Sequence, residues 1–138
     1  VRLVFSLTLL VIIVGTVVTG TGPHAGDQAA PRYNFDIRVV TWLHADLVIA
    51  LCGAILALYL LLKLAPISSS PESRADHLKL VKTFIILVLI QGGIGYLQYF
   101  TGVPIILVGL HLLGLCLVWL TACKLLVRTS SKRDAKLA

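Results

Sequence analysis

Two histidines, His44 and His111, fall inside long apolar runs, where an ionisable side chain is costly and normally faces an interior site. His44 stands six residues after Arg38, and His111 seven residues after Pro104. At the helical rise these offsets place them about 9 Å and about 10.5 Å into their runs. If both runs enter the membrane from one side, the two helices are parallel and the imidazoles lie at nearly equal depth. One imidazole from each helix can fill both axial positions of a haem iron, with the porphyrin standing between them. That arrangement holds its helices further apart than the roughly 8–10 Å of direct packing and calls for small residues around the ring. Gly114 lies one turn beyond His111 on the same face, and Gly92, Gly93 and Gly95 line the third run. Close helix–helix packing is the competing reading of these glycines. An interhelical hydrogen bond is the competing reading of either histidine taken alone. With both axial positions filled, the iron cannot bind dioxygen, and electron transfer is the natural role.

Other metal chemistry has less support. A zinc site wants three or four protein ligands, and nothing else of that type lies at this depth. Asp46 is two residues past His44, about 200° around the helix, and cannot share its face. It is expected to pair with a polar group such as Gln91 or to be protonated. Cys52, Cys116 and Cys123 lie within runs or at a helix end, with no CxxC or Cys/His spacing. They read as small packing residues.

The elements that position these residues follow from composition. The chain has 138 residues, 58% hydrophobic and 13% charged, about half the charge of an ordinary soluble domain. A soluble globule, a disordered chain and a nucleic-acid partner are excluded, despite a net charge of +6. A bilayer core of about 30 Å needs roughly 20 apolar residues per helix. Four runs qualify, at about 3–19, 39–62, 84–100 and 104–127. The sequence therefore predicts an all-α membrane protein, a single four-transmembrane-helix bundle over 1–138. Of the twelve Lys and Arg residues, only Arg32 and Arg38 lie between spans one and two. The other ten lie at the termini and between spans two and three. This bias predicts cytoplasmic termini and a multi-pass protein of the cell membrane.

The first run lacks a plausible cleavage site for a signal peptide, and Gly20-Thr21-Gly22-Pro23 reads as a helix stop. His24 is placed in the outer loop and His77 in the inner loop, 63–82, which holds the linker Ser68-Ser69-Ser70-Pro71-Glu72 and an interfacial helix start. Thr101-Gly102-Val103 makes a tight hairpin, with Pro104 in the first turn of span four. The basic tail reads as a solvated end at the lipid headgroups. Methionine is absent and Val1 borders an apolar run, which suggests part of a longer chain.

Four segments carry a family resemblance, in order and in topology. They are 15–27, from Gly15-Thr16-Val17 to His24-Ala25-Gly26-Asp27; Leu43-His44-Ala45-Asp46; 91–100, opening on Gln91-Gly92-Gly93-Ile94-Gly95; and Gly109-Leu110-His111-Leu112-Leu113-Gly114. Together they resemble the C-terminal half of haem A synthase, similar to actinobacterial members, over about residues 9–127. The resemblance implies an eight-span enzyme of two four-helix halves that oxidises a ring methyl of haem O to the formyl group of haem A, for terminal oxidases. It implies that this half holds haem b, with His44 and His111 as axial ligands. The implied partners are the N-terminal substrate-binding half or a second copy of this chain, haem O as substrate, haem O synthase and the membrane lipids. Three features depart from the family. Thr41 stands where the substrate half has a catalytic glutamate, the outer loop lacks a cysteine pair, and the length is about half that expected. Two other functions fit the residues: a free-standing haem b electron carrier or quinone-reactive subunit, and a haem-free transporter or scaffold.

Overall fold

Four helices account for nearly all of the chain in the computed structural model: α1 (Arg2–Thr21), α2 (Ile37–Leu64), α3 (Pro71–Phe100) and α4 (Ile105–Asp134). The structure describes residues 1–23, 29, 31–64 and 71–134, without the side chains of 71 and 130–134. His24, Asp27, Ser68, Ser69, Ser70 and Lys136 lie outside the described residues. All four helices are long and apolar enough to cross a membrane. At about 1.5 Å per residue, the 28 to 30 residues of α2, α3 and α4 match the roughly 40–45 Å of a bilayer with its headgroups. Each helix packs on its chain neighbours, and α1 also packs on α4. Among the described residues the backbones of α2 and α4 do not come within 8 Å, Cα to Cα, nor do those of α1 and α3. These are the diagonals of an up-down-up-down bundle.

Local chemistry explains the helix ends. Threonines interrupt α1, but Thr8, Thr16, Thr19 and Thr21 donate to carbonyls three or four residues back, so none of these four hydroxyls needs water. The helix stops at Gly22, whose N–H bonds the Val18 carbonyl at 2.9 Å, and Pro23 follows. Tyr33 then returns to α1: its N–H bonds the Gly20 carbonyl at 3.0 Å, and a Cβ on Gly20 would collide with its ring. Asp36 caps α2, its Oδ1 accepting from the N–H groups of Arg38 and Val39 at 2.8 and 3.3 Å. The cap starts α2 two residues before the apolar run does.

The third helix departs most from the sequence expectation. α3 begins at Pro71, so the loop expected over 63–82 is far shorter, and the interfacial segment is the first part of one continuous helix. His77 is therefore helical and buried, its Nδ1 donating to the Ser73 carbonyl at 2.7 Å. Residues 71–83 are too polar to read as a span, yet Val81 and Phe84 are wholly buried. Arg74 ties this part of α3 to the end of α2, donating from Nε to the Leu62 carbonyl at 2.6 Å and from the other guanidinium arm to Lys63. Two orphan carbonyls of α2 are thus satisfied by a cation at the negative end of the helix.

Between α3 and α4 the chain makes a Schellman turn. The Val103 N–H bonds the Gln98 carbonyl at 2.8 Å, and Gly102 takes a left-handed conformation with φ of 75°. Val103 is also left-handed, at φ of 58°, an unusual state for a β-branched residue. Pro104 is not in the first turn of α4. It precedes Ile105, and its carbonyl accepts the first helical bond, from Val108 at 3.1 Å.

The core occupies only one half of the bundle. Buried side chains are Val4, Thr8 and Val11 on α1; Leu51 and Ile55 on α2; His77, Val81, Phe84 and Val88 on α3; and Val118, Thr121, Ala122 and Leu125 on α4. Phe5 and Trp119 stack in the same half, with ring centroids 5.1 Å apart. Toward the α1–α2 and α3–α4 turns, beyond Val11, Leu51, Val88 and Val118, no described side chain is buried. Six of the ten aromatic residues gather near those turns: Tyr33, Phe35, Trp42, Tyr96, Tyr99 and Phe100, as at a membrane interface.

Arg74→Ala is expected to destabilise the chain by about 1.5 kcal/mol, the lower end for hydrogen bonds from a charged donor, because the guanidinium is half-exposed. Thermal unfolding in detergent measures the loss, and Arg74→Lys is expected to restore only part of it, because an ammonium lacks the guanidinium fork.

Candidate functional site

His44 and His111 lie in the half of the bundle without a buried core. His44 stands seven positions before Leu51, where the core of α2 begins, and His111 seven before Val118, where that of α4 begins. Both imidazoles are therefore about 10.5 Å above the packed core. They sit on the diagonal helices α2 and α4, yet remain close enough to interact electrostatically.

Each imidazole lies against a glycine of the preceding helix. A Cβ on Gly15 of α1 would come within 3.0 Å of His44 Cε1, and one on Gly95 of α3 within 3.7 Å of His111 Cε1. One turn before each glycine, a backbone carbonyl faces the same ring: that of Val11 for His44 and that of Gln91 for His111. In a helix this carbonyl bonds the glycine's own N–H. Without a side chain on that glycine, the imidazole can approach it. Neither carbonyl closes a hydrogen bond: Nδ1 of both histidines is buried without a partner. Nε2 is not sealed in this way in either ring.

The two helical hairpins thus use one device twice. Gly15 stands six residues before Thr21-Gly22 and Gly95 six before Thr101-Gly102, and each hairpin's second helix then carries a Leu-His pair, Leu43-His44 or Leu110-His111. Gly15, Val11 and the orienting role of Gly95 were missed by spacing arguments within single spans. The repeat at an offset of 80 residues is the sequence signal that could have found them.

The remaining candidates are placed as follows. Gly114 faces α3, where a Cβ would collide with the Gln91 amide nitrogen and lie 2.6 Å from Gln91 Cδ. Gln91 Oε1 is buried and unpartnered. No hydrogen bond joins Gln91 to Asp46 among the described residues, and Asp46 is exposed on α2. Gly92 and Gly93 have nothing within 4 Å of a built Cβ, so they do not serve close helix packing in this chain. Cys52 packs against the core, whereas Cys116 is exposed, its thiol donating to the Leu112 carbonyl at 3.5 Å. Among the described residues no group of three or more His, Cys, Asp or Glu could hold a metal ion.

This arrangement fits a planar ligand held through its metal. The donor set is one imidazole on each of two opposite helices, with the Val11 carbonyl facing the His44 ring and the Gln91 carbonyl facing the His111 ring, the kind of support a ligating histidine uses. At this level α2 and α4 carry half-buried and exposed residues and no fully buried side chain. The chain matches no family model, no curated protein and no solved structure.

Gly15→Ala is expected to push the His44 ring off its seat and cost about 1 kcal/mol by overpacking. Gly95→Ala, whose Cβ would make ordinary contact at 3.7 Å, is expected to leave stability unchanged or raise it. Thermal unfolding of the two variants side by side measures the difference.

Proposed function

We propose that this chain is the haem b-binding half of haem A synthase, with His44 and His111 as axial ligands through Nε2. The observation that carries the reading is the pair itself. Two imidazoles, each lying against a glycine of the preceding helix, stand seven residues before the first buried residue of the diagonal helices α2 and α4, in the half of the bundle that has no core. Nδ1 of both rings is buried and unpartnered, and no described hydrogen bond joins the two histidines. The four sequence segments that resemble the family supply the chemical assignment.

In this reading haem b supplies one-electron transfer, and both of its axial positions are taken. The chain's own residues hold and orient it. His44 and His111 would hold the iron, the Val11 and Gln91 carbonyls would orient the imidazoles, and Gly15 gives the His44 ring room. Thr41 has no carboxylate to offer one turn before His44, so the centre that oxidises the haem O methyl belongs to a partner. That partner is the N-terminal substrate-binding half or a second copy of this chain, with haem O delivered by haem O synthase. Asp46 supports a polypeptide partner over α2, since lipid on that face would leave an exposed acid unpaired. The termini and the α2–α3 connection face the cytoplasm, carrying ten of the twelve basic residues. The haem then lies near the outer surface of the cell membrane.

Absorption spectra of the purified chain supplied with haem b test the reading. Six-coordinate, low-spin spectra are expected for the wild type, and loss of that species in both His44→Ala and His111→Ala. A wild-type protein that stays colourless after haem supplementation overturns it. A free-standing electron carrier would give the same spectra. It is told apart by co-purification: the enzyme requires a four-span partner bearing a glutamate three residues before a membrane histidine, or a self-assembly that converts haem O.

A further inference from the structure

The two hairpins differ at one place in their shared device. The residue whose carbonyl faces the imidazole is Val11 in the first hairpin and Gln91 in the second. His44 therefore has an apolar neighbour at that position, whereas His111 has a carboxamide. Gly114, one turn past His111 on α4, makes the seat for that carboxamide, since any Cβ there would occupy its place. The first hairpin has Leu47 at the corresponding position. Two orphan polar atoms remain on this side, Gln91 Oε1 and His111 Nδ1, both buried and both without a partner. One is an acceptor, and the other is a donor once Nε2 is committed to a metal. The terminal torsion of a glutamine is soft, which leaves the carboxamide free to turn its oxygen.

We propose that Gln91 is a positioning residue that makes the two histidines inequivalent, its carboxamide oxygen accepting from His111 Nδ1–H and strengthening His111 alone as a donor to the iron. The inference rests on the haem reading above. A hydrogen bond accepted from Nδ1–H raises the basicity of a ligating imidazole, and a stronger axial donor favours the oxidised metal. Gln91 thus lowers the midpoint potential of the bound haem. His44, opposite Val11, has only the backbone carbonyl to do this.

The test is redox titration and low-temperature electron paramagnetic resonance of the full chain loaded with haem b. Gln91→Ala is expected to shift the midpoint potential upward and to change the g values of the low-spin ferric signal. Gly114→Ala is expected to do the same by displacing the carboxamide, and to add nothing further in the Gln91→Ala background, where its methyl fills vacated space. Val11→Ala, which keeps the carbonyl, is expected to leave the potential unchanged. Unchanged potential and g values in Gln91→Ala or Gly114→Ala overturn the inference. Loss of haem from both variants also overturns it, because a residue acting only on Nδ1 leaves iron ligation in place. A colourless wild type overturns the haem reading itself, an outcome separate from any result in the variants.

Discussion

A buried imidazole nitrogen without a hydrogen bond costs about 1–3 kcal/mol, and this bundle buries two, on His44 and His111, at one level. Within helices this apolar, the first remedy is the bundle itself. The bundle offers only part of it. Gly15 and Gly95 let each ring approach a carbonyl one turn away, yet the bonds to Val11 and Gln91 stay open. Coordination at Nε2 would fix each ring as the tautomer with Nδ1–H, the form those carbonyls can accept from.

Equal depth comes from repetition. In each hairpin a glycine, six residues before a Thr-Gly turn, meets a Leu-His pair on the returning helix. Leu51 and Val118, the first buried residues of their helices, each stand seven residues past the histidine. The connections are nevertheless unlike: the first is long and closed by Tyr33 on Gly20, whereas the second is a four-residue Schellman turn. Register is therefore carried by the helix faces, with Gly15 on His44 and Gly95 on His111, more than by loop length.

Much of this was legible in the sequence. The four apolar runs became four helices, and His44 and His111 each stand seven residues before the first buried residue of their helix. What escaped had identifiable physical reasons. Asp36 starts α2 through its side chain, and a hydropathy window does not register a cap. Residues 71–83 join α3 because one face buries Val81 while the other carries Lys79 and Lys82, a pattern that averages to polar. Gly15 and Gln91 could not be assigned without knowing which helix each faces. The expected pairing of Asp46 with Gln91 failed for the same reason, since Gln91 points to Gly114 on α4.

The choice of α2 and α4 follows from the geometry of bundles. Neighbouring helices pack at about 8–10 Å, too close to admit a ring system between two imidazoles, and in this topology they are antiparallel. Only the diagonals combine parallel direction with separation. Opening a diagonal has a cost, because side chains that would meet across it lose their contacts. Here the cost is confined: Phe84, Leu51, Ile55 and Leu125 close the bundle at the other half, and the Phe5–Trp119 pair joins α1 to α4 there. The packed half can hold the helices in register while the half bearing the histidines stays receptive. A ligand that bridges His44 and His111 then stabilises the assembled bundle by mass action, since it binds only when both hairpins are in place.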